Sequence, residues 1–304
     1  MLNARIRKRW RSPKGFPIGL IGPKVPLTYG YDYVGAGPQT LGDVTRHAFA
    51  DVLRNAEHPV LLVGAGAFAR SDGAAIAVLA AKAAVDLGVV KEGWNGYCVL
   101  HGAASRVGAL DLGFVPGEGA LSARQMATSG TLDVLFLLGA DEIDIAPGAF
   151  VIYIGSHGDR GAARADVVLP GAAYPEKSGT YVNTEGRVQM ATRASFPPGD
   201  AREDWAILRA LSDVLGKRLP YDSLAALRAV LYKAHPHLMR IGQITPGSAA
   251  DLQALAARGG APEKTPFRSS IDDFYLTNPI ARSSAVMAQC SAIAAGRAAV
   301  AAAE

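Results

Sequence analysis

A short apolar run that leads through a glycine-rich turn into an alanine-rich stretch constrains the fold of this chain most. Residues 59–63 read Pro-Val-Leu-Leu-Val, which is typical of a strand buried on both faces of a sheet. The run ends at Gly64-Ala65-Gly66, and Ser71 and Asp72 then offer caps for a long helix that ends near Gly88. A strand, a turn and a helix in this order predict one α/β unit.

The same order of elements repeats in looser form along the chain. Apolar runs predict further strands at residues 97–100, 133–138, 150–154 and 165–169. Apolar residues at helical spacing predict helices at 40–53, with Thr40 as the cap, and at 201–215, 223–234 and 246–258. We therefore predict an α/β fold with a mostly parallel sheet covered by helices on both faces.

Composition changes along the chain predict three parts. Residues 1–40 contain five prolines and seven basic side chains and are predicted to form an irregular leader with short strands. Residues 41–219 form the α/β body. Residues 220–304 form a helical and extended carboxy-terminal tail, which contains a flexible linker at 259–266.

The net charge of +4 is concentrated in the leader. Six basic side chains fall within its first fourteen residues with no acid among them, and they are Arg5, Arg7, Lys8, Arg9, Arg11 and Lys14. Such a cluster is compatible with a loop docked on an acidic partner, a mitochondrial transit peptide or a nucleic-acid-binding arm. Because no nucleic-acid-binding motif accompanies it, the docked loop is favoured.

The chain has only two cysteines, Cys98 and Cys290, far apart in the sequence. They exclude a disulfide framework, and they cannot by themselves hold an iron–sulfur cluster or a zinc–thiolate site. Charged residues interrupt every candidate membrane span, and the first residues lack the apolar core of a secretory signal. We therefore expect a soluble intracellular protein without metal.

Ligands of parallel sheets bind beyond the carboxyl ends of the strands. Gly64-x-Gly66-x-x-Ala69 fits a dinucleotide fingerprint there, although no acidic residue ends the next strand. The alternative is a tight turn that needs small residues, for which Gly64→Val should damage folding. His101 and His157 are interpreted as hydrogen-bonded structural residues, and the pair at 235 and 237 lacks a third metal ligand.

The most distinctive stretch lies between residues 158 and 189. Residues 165–171 read Ala-Asp-Val-Val-Leu-Pro-Gly, and residues 176–189 read Glu-Lys-Ser-Gly-Thr-Tyr-Val-Asn-Thr-Glu-Gly-Arg-Val-Gln. This pattern resembles the signature of molybdopterin oxidoreductases, which implies their α/β body. The positions at which the resemblance would place a vestigial cofactor pocket are Gly64, Gly66, Asp141, Thr180, Asn183, Glu185 and Arg187.

Residues 2–10, 108–114 and 274–284 look like the 75 kDa-type iron–sulfur subunit of respiratory complex I, the proton-pumping NADH:quinone oxidoreductase. This likeness spans nearly the whole chain and recasts the basic leader as an internal segment. The family's amino-terminal iron–sulfur part is absent from the sequence, and complex I relatives carry this fold without molybdenum. The resemblance thus implies a cofactor-free scaffold, with iron–sulfur clusters and FMN elsewhere in the complex.

The resemblance also implies partners and a location. The partners would be other peripheral-arm subunits, including the iron–sulfur part, without nucleic acid and without a membrane span of its own. The location would be the cytoplasmic face of a bacterial inner membrane, or the matrix side of a mitochondrial one. Candidate interface residues are Arg7, Arg9, Trp10, Phe274, Tyr275, Asn278 and Pro279.

Two other functions remain open from the sequence. One is the carboxy-terminal part of a molybdopterin-dependent enzyme such as a formate dehydrogenase, with residual pterin binding. The other is a nucleotide-binding regulator that uses Gly64 and Gly66. Both require a bound ligand in the purified chain.

Overall fold

The computed structural model describes the backbone of residues 1–303 and the side chains of residues 1–296. Its helices are α1 (Leu2–Trp10), α2 (Pro38–Gly42), α3 (Phe49–Arg54), α4 (Gly73–Asp86), α5 (Arg106–Asp111), α6 (Ala123–Thr128), α7 (Arg160–Arg164), α8 (Asp204–Val214), α9 (Leu224–Ala234), α10 (Ala249–Ala256), α11 (Pro279–Arg282) and α12 (Ala285–Ala303). Its strands are β1 (Gly19–Ile21), β2 (Asp32–Gly35), β3 (Leu61–Gly64), β4 (Val90–Lys91), β5 (Trp94–Asn95), β6 (Tyr97–Leu100), β7 (Val134–Leu138), β8 (Phe150–Gly155), β9 (Val167–Pro170), β10 (Gly179–Val182) and β11 (Val188–Ala191).

The chain folds into two compact units that interleave along the sequence. The first unit comprises Met1–Ala104, Thr184–Gly186 and Ile244–Ser270. The second comprises Ser105–Asn183, Arg187–Gln243 and Ile271–Glu304. The predicted division at residues 40 and 219 stays a prediction.

The core of the first unit lies between α4 and a parallel pair of strands. β3 pairs with β6, with Leu61 beside Tyr97 and Val63 beside Val99. Ile76, Ala80 and Ala84 on α4 are fully buried, because alanine side chains allow the helix to lie close to the sheet. The helix ends at Asp86, and Gly88 shortly after it has a positive φ of 66°, the conformation expected after a helix terminus.

Residues from late in the sequence complete this core. Leu252 on α10 and Phe267 pack against the cluster formed by α4 and β3. Gly260 lies against Ala75, where an added Cβ would be 2.9 Å from the alanine Cβ. The prediction of a flexible linker at 259–266 is therefore wrong, since this segment packs on α4 in the structure.

The second unit contains a three-stranded parallel sheet in the order β7-β8-β9. Leu135 and Val151 are neighbours in register and form a buried cluster with Ala149, against which Met126 of α6 packs. Helix α6 begins with a capping box in which Ser122 accepts from the backbone N–H of Gln125. One face of this sheet is thus covered.

A hairpin follows the sheet in the second unit. β10 pairs with β11 in antiparallel register, with Val182 opposite Val188. Both valines are buried with Leu238, and Leu231 of α9 packs on the same cluster. The short 3₁₀ turn at Pro236–Met239 positions Leu238.

The predicted α/β class with parallel strands is confirmed, although the strands are divided between small sheets of the two units. Residues 2–10 were expected to be irregular, but they form α1 because leucine, alanine, arginine and lysine favour helix. The predicted helix at 40–53 is divided into α2, a 3₁₀ turn at Val44–Arg46 and α3. Among the residues described, no helix is both long and apolar enough to cross a membrane.

Candidate functional site

Asp141 lies at the carboxyl end of β7, where a parallel sheet would bind a ligand. Its side chain is buried, and Oδ2 accepts hydrogen bonds from the backbone N–H groups of Asp159 and Ala162, the latter at 3.1 Å. Gly161 permits this approach, because an added Cβ would lie 2.7 Å from the Cβ of Asp141. Asp141 therefore ties the loop after β7 to the start of α7.

Arg282, from the carboxy-terminal part of the chain, contacts the loops that follow β7 and β8. The guanidinium of Arg282 lies 2.7 Å from Oε1 of Glu142 and 2.6 Å from Oδ2 of Asp159, and it donates to the carbonyl of Leu276 at 2.9 Å. Burial lowers the pKa of Arg282, but the two carboxylates outweigh this effect and raise it above its ordinary value. Arg282 thus neutralises charge that the strand ends would otherwise present to a ligand.

The strand ends do not fit an anionic cofactor. Three carboxylates, those of Glu142, Asp144 and Asp159, pair with only two guanidinium groups, those of Arg160 and Arg282. A fourth carboxylate, that of Asp141, is buried on the backbone N–H of Asp159. A phosphate-bearing pterin would meet an excess of negative charge there. Nor do three or more histidine, cysteine, aspartate or glutamate side chains converge as metal ligands anywhere in the described residues.

The signature residues that precede the hairpin make structural contacts. The Asp166 carboxylate accepts from the backbone N–H of Val151 at 2.8 Å, which lowers the pKa of Asp166 and joins the start of β9 to β8. At Gly171 an added Cβ would lie 3.1 Å from the backbone nitrogen of Gly155. The glycine is therefore required for the close approach of the β8 and β9 ends.

The signature residues of the hairpin likewise hold its turn. Asn183 Oδ1 accepts from the backbone N–H of Arg187 at 3.0 Å, and the Arg187 guanidinium donates to the carbonyl of Gly242 at 2.6 Å. Gly186 has a φ of 81° and leaves no room for a Cβ beside the carbonyl of Thr245. These identities are explained by the backbone geometry of the turn.

The two glycines of the fingerprint differ in the structure. Gly64 has φ −69° and ψ 129°, and no atom lies within 4 Å of an added Cβ. The expectation that the turn needs glycine at this position is wrong. At Gly66, by contrast, an added Cβ would lie 2.2 Å from Oγ and 2.6 Å from Cβ of Ser270.

An ion pair and a later segment of the chain cover the start of α4. A 3₁₀ turn at Ala65–Phe68 separates β3 from the helix, and Asp72 makes no side-chain cap. Its carboxylate instead binds the guanidinium of Arg70 at 2.7 Å and accepts from the backbone N–H of Glu263 at 2.8 Å. A carboxylate and the segment 263–270 thus lie where the fingerprint would hold a phosphate.

The predicted pocket residues are divided between the two units. Gly64, Gly66 and Glu185 belong to the first unit, whereas Asp141, Thr180, Asn183 and Arg187 belong to the second. Within the second unit, Thr180 pairs with Met190 in the hairpin, and Asp141 follows β7. Their assignment as a vestigial pocket stays a prediction.

The predicted interface residues lie on exposed parts of each unit. Arg7 donates to the carbonyl of Thr28 at 3.1 Å, Arg9 lies over the ring of Phe16, and Trp10 packs near Tyr29. In the second unit, Asn278 caps α11, Pro279 begins it, and the ring of Phe274 meets that of Tyr275 edge-on while remaining 76% exposed. Their role as interfaces remains a prediction.

Comparison with known proteins places the chain in a family. The model for molybdopterin oxidoreductases matches residues 1–214. The chain belongs to the molybdopterin oxidoreductase family. A second model, for the C-terminal part of the G-type NADH-ubiquinone oxidoreductase subunit, matches residues 243–290. The resemblance to the 75 kDa-type subunit is thereby confirmed for this family member.

Several curated relatives align with almost all of this molybdopterin oxidoreductase family member. It is 40% identical to the NADH dehydrogenase [ubiquinone] iron-sulfur protein 1 of Solanum tuberosum, covering 96% of the chain and 39% of that protein. It is 43% identical to the NADH-ubiquinone oxidoreductase 78 kDa subunit of Neurospora crassa, covering 96% and 40% respectively. It is 40% identical to the 75 kDa subunit of Reclinomonas americana, covering 96% and 42%. The chain thus spans about two fifths of the length of these relatives.

Sequence reasoning missed the two arginines that matter most for the geometry. Arg282 lay within a segment recognised as similar to the 75 kDa-type subunit, but nothing local to it indicates that it binds Glu142, 140 residues away. Arg70 stands two positions before Asp72, and the expected role of Asp72 as a helix cap concealed their ion pair. Each arginine forms its ion pairs within its own unit, Arg70 with Asp72 and Arg282 with Glu142 and Asp159.

Proposed function

We propose that this chain is a cofactor-free structural module of the peripheral arm of NADH:quinone oxidoreductase. One observation carries the proposal: its own side chains fill the places where a cofactor would bind. Arg282 compensates the acids at the ends of β7 and β8, and the segment 263–270 closes the first βα turn. The similarity to the 75 and 78 kDa subunits supports the assignment to this enzyme.

In this proposal the chain carries no electrons. The whole enzyme passes electrons from NADH through FMN and iron–sulfur clusters to quinone, coupled to proton translocation. Cys98 and Cys290 are the only cysteines of the sequence, and four thiolates are the usual ligand set of a cluster. The clusters that act with this module would then be held by residues outside this sequence, in the iron–sulfur part of the subunit.

The module's partners would be that iron–sulfur part and other peripheral-arm subunits. The proposed location is the cytoplasmic face of a bacterial inner membrane or the matrix side of a mitochondrial one. The basic side chains of α1 and the exposed aromatic ring of Phe274 supply surface of the kind that protein partners contact.

The alternative functions each require a ligand that the described residues disfavour. A pterin-binding enzyme fragment would need a phosphate to be accommodated beside Asp141, Glu142 and Asp159. A nucleotide-binding regulator would need the space at Gly66 that Ser270 fills. Both alternatives predict a stoichiometric ligand in the purified chain.

The test is to tag the chain at its chromosomal locus, solubilise membranes in a mild detergent and separate complexes on a native gel. We expect the tag to comigrate with NADH dehydrogenase activity, and deletion of the gene to reduce the assembled complex. A tagged chain found only as a free protein, or one that carries molybdenum, would contradict the proposal.

A further inference from the structure

Helix α1 carries one face that consists of basic side chains and a single alanine. Ala4, Arg7, Lys8 and Arg11 are spaced three or four positions apart, so they lie on the same side of the helix. Together they line a shallow hollow, and all four are exposed. We call these four residues the basic face of α1.

The other side of α1 fixes the helix on the first unit. Ile6 is partly buried, and the ring of Trp10 packs 6.5 Å from that of Tyr29. Nε of Arg7 donates to the carbonyl of Thr28 at 3.1 Å, which holds the guanidinium in place. The basic face is therefore presented in a defined orientation, which reduces the entropy lost when a partner binds.

The charge of the basic face is not balanced by acids of the chain. No acidic residue precedes Asp32 in the sequence, and among the described residues no ion pair involves Lys8 or Arg11. A surface of one sign attracts a partner of the opposite sign and speeds its association. Guanidinium groups bind carboxylates through paired hydrogen bonds, and an ammonium group adds further donors. The basic face thus fits a group of carboxylates.

Two other kinds of anionic partner fit the face less well. Proteins that hold single-stranded nucleic acid add aromatic rings on which bases stack, whereas here Trp10 packs near Tyr29 and Arg9 lies over the ring of Phe16. A helix that lies on an anionic membrane inserts large apolar side chains, but the basic face offers only Ala4. An acidic protein segment is the best match.

We propose that the basic face of α1 docks on an acidic segment of another polypeptide of the peripheral arm, whose carboxylates bind Arg7, Lys8 and Arg11. The hollow at Ala4 receives the backbone or a short side chain of that segment. The assignment of the segment to the peripheral arm rests on the proposed function. The choice of carboxylates rests on the charge and shape of the face.

The first experiment is zero-length cross-linking in the native complex. The tagged chain is purified with its partners from its own organism and treated with a carbodiimide, which joins an amine to a carboxylate in contact with it. We expect peptide mass spectrometry to find Lys8 joined to an aspartate or glutamate of another arm polypeptide. Lys217, an exposed lysine shortly after α8, is the control and should not be joined to the same peptide. Cross-links from Lys8 only to carboxylates of its own polypeptide, or none at all, would overturn the proposal.

Charge reversal then tests whether the contact contributes to binding. Lys8→Glu combined with Arg11→Glu should lower the recovery of the cross-linked partner about tenfold, because like charges then face each other. This double variant should melt near the natural chain, since no residue of α1 is buried. Lys217→Glu combined with Arg240→Glu changes the net charge equally on exposed residues of the second unit and should leave recovery unchanged. Equal recovery of the partner with both double variants would contradict the proposal.

Further outcomes separate the proposal from its alternatives. The purified chain is also tested for binding to single-stranded DNA and to phosphatidylglycerol vesicles. Binding to either that is lost in the α1 double variant, without a cross-link from Lys8 to protein, would assign the face to that ligand and overturn the proposal. If the natural chain and the α1 double variant copurify equally with NADH dehydrogenase subunits, the proposed function stands and the docking proposal fails. If the natural chain copurifies with none of them, the proposed function fails and the partner named here fails with it.

Discussion

The charge balance at the strand ends of the second unit depends on Arg282. Its guanidinium is shared by Glu142 and Asp159, which would otherwise repel one another and the neighbouring Asp141. Because the carboxylate of Glu142 is about half exposed, water screens part of this repulsion. The contact is therefore a tether of moderate strength between α11 and the loops after β7 and β8.

We expect Arg282→Gln to lower the free energy of unfolding by about 1–2 kcal/mol, since it leaves two acids without a cation in a partly buried place. Urea unfolding followed by circular dichroism at neutral pH and low salt measures the change. Arg46→Gln is the control, because Arg46 forms only an exposed pair with Asp43 and should cost less than about 0.5 kcal/mol. Equal effects of the two substitutions would contradict the role given to Arg282.

The two glycines of the first βα turn should respond oppositely to the same substitution. Gly66→Ala forces a methyl group into Ser270 and should cost about 1–3 kcal/mol, whereas Gly64→Ala enters open space at an ordinary φ and should be neutral or slightly stabilising. Thermal melts of both variants test this. The double variant Gly66→Ala with Ser270→Gly should recover most of the loss, and a failure to recover would show that the clash with Ser270 is not the cause.

At the level of the elements, much of the fold could be predicted because the signals are local. The apolar runs predicted β3, β6, β7, β8 and β9 to within two residues at most ends, and the alanine-rich stretch predicted α4. The closure of the first βα turn was not predictable, because Glu263 is 191 residues from Asp72 and no pattern in either segment indicates the other. Helix α1 was missed for another reason: the prolines that follow it dominated the interpretation of the leader.

The segment 259–270 should be released from α4 by acid. The hydrogen bond from Arg70, together with the one from the backbone N–H of Glu263, lowers the pKa of Asp72 below its ordinary value. The ionised carboxylate therefore stabilises the folded chain fully at pH values above the unfolded pKa of about 3.9, and this stabilisation is lost as the pH falls below that value. We expect Asp72→Asn to lower the urea midpoint at pH 7, and the difference from the natural chain to shrink between pH 4 and pH 2. A difference that stays constant over this range would show that the charge of Asp72 is not responsible.

A chain truncated after Ser269 should still unfold in one cooperative transition. None of the residues 271–296 is buried, so the segment contributes little core, and its described ties to the rest of the second unit include the ion pairs of Arg282 with Glu142 and Asp159. We expect a loss of stability similar to that of Arg282→Gln, together with impaired incorporation into the peripheral arm. Loss of the cooperative transition in a calorimetric scan would show that the segment belongs to the core.

For the whole molecule, we expect the purified chain to be colourless and to contain neither iron nor molybdenum in stoichiometric amounts. The reason is chemical: two cysteines are too few for a cluster, and acids surround the place where a phosphate-bearing cofactor would lie. Elemental analysis by mass spectrometry and the absorbance of the denatured supernatant measure this. A stoichiometric metal or pterin would support the enzyme alternative.

The interleaving of the two units sets the order in which the chain can fold as it leaves the ribosome. Helix α4 emerges early, but Leu252 and Phe267, which pack on its core, are synthesised only after most of the second unit. At a translation rate of roughly 5–20 residues per second, the nascent first unit waits for about 10–40 s before its core can close. By then residues 105–183 and 187–243 of the second unit have been translated, but its segment from Ile271 onward, which carries Arg282, has not, so the first unit can be completed before the second.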